Sequence, residues 1–178
     1  MDKDSIISWR DRYNKEEDLY NKGDEEELRS KFQENQYITK DDLIRIIEWK
    51  FQGRLTGRQK RILKILKPVD NEYIIDISKL VFKVSDDEKR VKLLCIINGV
   101  GPAIASTILT FYDPENYGVF DIHAWRELFG KEPKSLFTDI RNVIKFFECL
   151  REIGKKTKLP CRDVEKALFK KNYDESKE

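Results

Sequence analysis

Apolar residues recur every three to four positions along nearly the whole chain, with charged residues between them. This spacing predicts helices over residues 4–20, 24–35, 39–52, 57–67, 71–82, 86–97, 102–112, 122–129, 136–157 and 161–171. Start and stop signals agree with several of these limits. Thr39 precedes Asp41 and Asp42, Ser85 precedes Asp86-Asp87-Glu88, and Asp113-Pro114 closes the seventh segment. Two β-branched stretches, Ile74-Ile75-Asp76-Ile77 and Tyr117–Phe120, suit extended backbone, but neither alternates for long enough to found a sheet. Trp9 and the ladder of Phe146, Phe147 and Leu150 read as packing residues. The polar residues beyond Lys171 read as a frayed end. The fold class is therefore all-α, with acidic helices over 1–36 packed on a core at 37–172 and a polar tail at 173–178.

The chain has 178 residues, the size of one ordinary domain, and its 39% hydrophobic content is too high for global disorder. Eight Gly and five Pro exclude a collagenous or low-complexity chain. No apolar run approaches the roughly 18 residues of a membrane span. Met1-Asp2-Lys3-Asp4 does not lead into a signal-peptide core. Cys95, Cys149 and Cys161 are odd in number and lack C-x-x-C spacing, against a disulfide scaffold, a zinc site or an iron–sulfur cluster. A monomer in a reducing, cytoplasmic setting, without metal, cofactor or membrane contact, is the expectation.

The net charge of +2 hides an asymmetry. Residues 1–36 carry 11 acids and 7 bases, net −4, whereas residues 37–67 carry 3 acids and 9 bases, net +6. Lys50, Arg54, Arg58, Lys60, Arg61, Lys64 and Lys67 form that basic block around one helix corner. It suits a polyanion, nucleic acid above all, or else a solvated helix face.

The most specific passage is Leu93-Leu94-Cys95-Ile96-Ile97-Asn98-Gly99-Val100-Gly101-Pro102-Ala103-Ile104-Ala105-Ser106. A helix ends at Asn98, Gly99 and Gly101 permit a tight reversal, and Pro102 opens the next helix where Pro is best tolerated. The corner presents main-chain N–H groups and the positive end of a helix dipole, a natural site for a phosphate. An ordinary αα-hairpin with a Gly turn fits the same residues.

Downstream lies Tyr117-Gly118-Val119-Phe120-Asp121-Ile122-His123-Ala124-Trp125-Arg126. With this second motif the chain resembles the helix–hairpin–helix–GPD superfamily of DNA base-excision repair glycosylases, which includes endonuclease III-like and oxidised-guanine glycosylase-like members. The match rests on Ile97-Asn98-Gly99-Val100-Gly101 against the family's L-P-G-V-G and on Phe120-Asp121-Ile122-His123 with Arg126 against V-D-x-H-x-x-R. It covers about residues 88–130. The resemblance implies double-stranded DNA with a damaged base or abasic site as partner, and DNA contacts at Asn98, Gly99, Gly101, Ala103 and His123. Three departures stand out: Asn98 replaces Pro, the four-Cys cluster is absent, and Ala103 stands where bifunctional members carry the catalytic Lys.

Breaking an N-glycosidic bond leaves positive charge on the sugar, which a carboxylate near C1′ stabilises. By resemblance Asp121 is that carboxylate; it is also placed to cap the helix starting at Ile122. Lys50 falls near the middle of the apolar arc of Leu43, Ile44, Ile46, Ile47 and Phe51. Desolvation there lowers an amine's pKa and frees a neutral nucleophile, so Lys50 is the candidate for Schiff-base chemistry; snorkelling to solvent is the alternative. Glu48, in Glu48-Trp49-Lys50-Phe51-Gln52, is similar to the E-x-x-x-Q segment of adenine-mismatch glycosylases, and a surface position is the alternative. The target base must leave the stack. Gln52 and Arg54 match the family's plugging region, Arg58, Lys60 and Arg61 suit the DNA backbone, and Trp49, Phe51, Phe120 and Trp125 are base-pocket candidates, with core packing the alternative for each aromatic. His123 serves to orient Asp121 or a phosphate, or is structural. The leading expectation is a glycosylase with associated lyase activity. A monofunctional glycosylase using Asp121 and water, and a non-catalytic DNA-binding module, are the alternatives.

Overall fold

The computed structural model describes residues 1–16, 19–51 and 57–177. The protein is all-α, with ten helices and no strand among the described residues. The acidic N-terminal part forms α1 (Lys3–Glu16) and α2 (Leu19–Asn35). The break predicted at residues 21–23 is not there, because α2 runs through Gly23. Glycine costs a helix interior about 1 kcal/mol, and full burial of Leu28 and Phe32 on α2 offsets that.

Helix α3 (Lys40–Lys50) begins in a capping box. The Thr39 hydroxyl accepts from the Asp42 N–H while the Asp42 carboxylate accepts from the Thr39 N–H. Asp42 is buried and held by Lys31 at 2.6 Å. The basic block continues as α4 (Gly57–Leu66). In α5 (Asn71–Lys83), Ile74, Ile75 and Ile77 form a buried helical face, so the first stretch suited to extended backbone is helix. Tyr117–Phe120, the second, lies outside any helix or strand.

The hairpin pairs α6 (Asp87–Cys95) with α7 (Pro102–Tyr112). Every residue of α7 from Ala103 to Phe111 is buried, and α2, α3, α6 and α9 (Ile140–Thr157) pack around it. Helix α9 starts later than predicted, because the Asp139 carboxylate accepts from the Arg141 N–H and fixes the first turn there. The final pair is α8 (Ile122–Phe129) and α10 (Cys161–Glu175), with α10 lying along both α1 and α8.

The frayed polar tail is corrected by α10, which continues to Glu175. Tyr173 stacks on Phe169 at 5.6 Å, and Asn172 meets His123. Polar composition concealed these contacts, since only the partner helix supplies them. Ile6, Leu28 and Phe32 belong to the same apolar cluster as the hairpin, so the acidic helices are part of the core.

Candidate functional site

The α6–α7 corner turns through Gly99, whose φ of +99° favours glycine. A Cβ there would meet the Ile62 carbonyl of α4 at 3.4 Å, so the corner sits close against the basic helix. Gly101 caps α7 without a side chain, leaving the Ala103 N–H with no side-chain acceptor. Arg58, Lys60, Arg61 and Lys64 are exposed along α4 beside it.

The segment bearing Asp121 is pinned from several sides. The Tyr117 hydroxyl donates to Asp87 at 2.6 Å and accepts from Arg90 at 2.8 Å. Gly118 admits no side chain, since a Cβ would lie 2.5 Å from Leu150 Cδ1 and 2.8 Å from Glu165 Cβ. The Val119 N–H donates to Glu165 Oε2, and the Phe120 N–H donates to the buried Ser106 hydroxyl of α7. Asp121 is thereby aimed at the start of α8, where its Oδ1 accepts from the His123 N–H at 2.8 Å. It is both a cap, at the positive end of the helix dipole, and a wall of the cleft.

That cleft has a volume of about 570 Å³ and runs along the hairpin. Gly99, Gly101 and Ala103 line it together with Arg58 and Arg61 of α4, and Lys50 and Asp121 share the same lining. Lys50, the last residue of α3, donates from Nζ to the Phe120 carbonyl at 3.3 Å. Burial lowers its pKa to about 8; the Asp121 and Glu165 carboxylates oppose that fall, and the Arg162 and Arg58 cations add to it. The amine thus lines the same cleft as Ala103.

A second cavity of about 90 Å³ adjoins the first, and Lys50 and Asp121 line both. Its other walls are Tyr13, Trp49, Val119, Phe169 and the pair Arg162–Glu165. The Arg162 guanidinium lies against the rings of Tyr13 and Trp49, at 5.6 and 5.4 Å. It also donates to Glu165 and, through two nitrogens, to Glu25 of α2. Burial pushes the Glu165 carboxyl up, against the pull of Arg162. For Glu25 burial also acts upward, but Arg162 outweighs it and holds the group at about 2.

No protein-family model, curated protein or solved structure matches this chain.

Function therefore rests on where the residues lie. Lys50, Asp121, Gly99, Gly101, Ala103, Arg58, Arg61, Phe51 and Phe120 converge on the cleft, and Trp49 lines the inner cavity. Asn98 is exposed at the corner. Gln52 and Arg54 lie outside the described residues. Glu48 is exposed and lines neither cavity, which matches the surface alternative. Trp125 is corrected from pocket to core: it is buried against Phe120 and Phe129 and lines neither cavity. The side chain of His123 is likewise turned to the last helix, with Nδ1 3.0 Å from Asn172 Oδ1 and its ring edge-on to Phe169 and Tyr173. Only its main-chain N–H serves Asp121.

Sequence reasoning missed Tyr13, Phe169, Arg162 and Glu165. The signal for Glu165 was present. On α10 it falls within the arc of Cys161, Val164, Leu168 and Phe169, an acid in the middle of an apolar face. Among the described residues no group of three or more His, Cys, Asp or Glu side chains is arranged to hold a metal ion. No helix among them is long and apolar enough to cross a membrane.

Proposed function

We propose that this protein is a DNA base-excision glycosylase of the helix–hairpin–helix–GPD type with associated lyase activity, and that Lys50 supplies the covalent step. One juxtaposition carries the reading: a desolvated amine with a pKa of about 8 and a carboxylate line the same cleft as the Gly99–Gly101 corner. The corner and the exposed cations of α4 suit a DNA backbone, and the Lys50 and Asp121 pair suits a deoxyribose.

In this scheme the neutral Lys50 amine attacks C1′ as the N-glycosidic bond breaks. The base departs with the bonding electrons and takes up a proton. Asp121 stabilises the positive charge developing on the sugar and receives the proton shed by the attacking nitrogen. Ring opening then yields a Schiff base, from which elimination of the 3′ phosphate nicks the strand. Ala103, at the hairpin position that carries Lys in bifunctional members of that superfamily, leaves space for an amine arriving from α3.

Borohydride reduction on abasic and lesion-containing duplexes tests this. The protein is expected to become covalently trapped, and Lys50→Ala to remove trapping while retaining salt-sensitive DNA binding. Undiminished trapping of Lys50→Ala assigns the role to another amine. Base release without trapping indicates water as the nucleophile, and binding without either reaction indicates a non-catalytic module.

A further inference from the structure

Ser106 is fully buried in α7, about one turn beyond the hairpin corner. Its hydroxyl carries one proton, which it gives to the Ala103 carbonyl at 2.8 Å. Toward the segment between α7 and α8 it is therefore an acceptor, and it takes the Phe120 N–H at 2.9 Å. Packing alone does not call for an oxygen here. Alanine would fill nearly the same volume and leave the Phe120 N–H without this acceptor. The Phe120 carbonyl in turn accepts from Lys50 Nζ at 3.3 Å. Its side chain is fully buried and lies edge-on to Trp125, Phe137 and Phe146, which restrains the residue between those two bonds. The preceding N–H, of Val119, is taken by Glu165 of α10 at 3.2 Å. A shift of the Phe120 main chain thus moves the carbonyl to which the amine donates.

We infer that Ser106 is a positioning residue that registers the Lys50 amine against the hairpin corner through the main chain of Phe120. The inference rests on the glycosylase reading above for the use of that amine and adds how it is aligned. The amine belongs to α3, whereas the N–H groups suited to a phosphate belong to the corner and α7, so neither helix alone sets the separation between them. The contacts running from Ala103 through Ser106 and Phe120 to Lys50 supply that connection. A misplacement of about 1 Å at a reacting centre is costly in rate, and a nucleophile borrowed from another helix needs such a tie. The charged groups acting on the amine are Asp121 at the start of α8, Glu165 and Arg162 on α10, and Arg58 on α4. All of them are retained when Ser106 is replaced. Removing the hydroxyl therefore displaces a neutral acceptor and leaves the charges in place. As the Phe120 carbonyl draws away, the buried ammonium loses a partner and gives up its proton more readily.

The test is an NMR pH titration of the Lys50 Cε resonance in selectively labelled, full-length, DNA-free protein, assigned by its absence in Lys50→Met. The native midpoint is expected at about 8. That of Ser106→Ala is expected about one pH unit lower, the worth of one hydrogen bond from an ammonium to a neutral acceptor. On abasic DNA the pH at which borohydride trapping levels off should move down with it. A merely structural serine would lower the melting temperature and leave the midpoint in place, and that result overturns the inference. A rise overturns it as well, since the amine would then have been let out to solvent. Should Ser106→Ala fail to fold, Ser106→Cys has a similar volume and a sulfur that accepts only weakly. Its midpoint is expected to fall in the same direction, and it decides in the same way. The titration involves no DNA, so an unchanged midpoint with trapping intact removes this inference alone. A lowered midpoint in a protein that neither traps nor releases any base upholds the link from Ser106 to Lys50 and removes the glycosylase reading.

Discussion

The Lys50 ammonium donates to the main-chain carbonyl of Phe120, 3.3 Å away, and so bridges the end of α3 to the residue preceding Asp121. A main-chain oxygen is a neutral acceptor and offsets only part of the hydration the amine loses. Burial therefore dominates and lowers its pKa to about 8. Trapping on abasic DNA should rise about tenfold per pH unit up to about 8 and level off above it, because the neutral amine is the nucleophile. A profile that keeps climbing toward the ordinary lysine value of 10.5 would show that the reacting amine is not this one.

The same burial has a stability consequence. Below about 8 the amine is protonated in both folded and unfolded chains, and the folded state bears the full cost of the buried charge. Between about 8 and 10.5 the unfolded chain holds the proton that the folded chain has released, so native stability rises with pH across that window. Lys50→Met should be more stable than the native protein at pH 7 by about 1–3 kcal/mol. Its advantage should shrink through the window, as followed by urea unfolding at several pH values. A loss of stability at pH 7 would mean that the amine is well solvated.

Cap and charge at Asp121 separate by substitution. Asparagine caps as well as aspartate, so Asp121→Asn should leave the melting temperature within a few degrees while lowering base release by about 10²-fold or more. Asp121→Ala should lose the charge and also about 1 kcal/mol of stability. Equal activity in Asp121→Asn and the native protein would confine Asp121 to capping.

The exposed cations of α4 should act through the phosphates. Lys60→Gln combined with Lys64→Gln is expected to weaken binding to all duplexes alike. It should also flatten the plot of log affinity against log salt by about 0.9 for each phosphate that is no longer neutralised. An unchanged slope would place DNA on another face.

Gly118→Ala should destabilise the protein by about 1–3 kcal/mol, since the new methyl would collide with Leu150 and Glu165, 2.5 and 2.8 Å away. Thermal unfolding checks this. A neutral result would mean that α9 and α10 can draw apart at this point.

Local signals carried most of the fold. Thr39 caps α3 as its position suggested, and periodicity places Lys50 on the buried side of that helix, but α6 is capped by Asp86 rather than Ser85, and the caps Asp70 and Asp139 carried no signal that was read. What the pattern could not convey was pairing between distant elements. Trp125 and Phe120 are both aromatic, near neighbours and buried, yet Phe120 lines the cleft while Trp125 packs among Phe120, Phe129 and the Lys145 ammonium. Tyr173 and Asn172 looked like a polar end only because their partner, His123, lies on α8. Arg162 and Glu25 are separated by 137 positions, beyond any local rule.

That last pairing also bears on the order in which the chain assembles. Glu25, together with the α1 surface that carries Tyr13, waits for a helix 137 positions further along before it meets Arg162. Pairings so remote in sequence are closed late and slowly. The surface of α1 and α2 must then remain open on the nascent polypeptide until α10 arrives, and the cavity shared by α1, α3 and α10 is among the last parts of these helices to take shape.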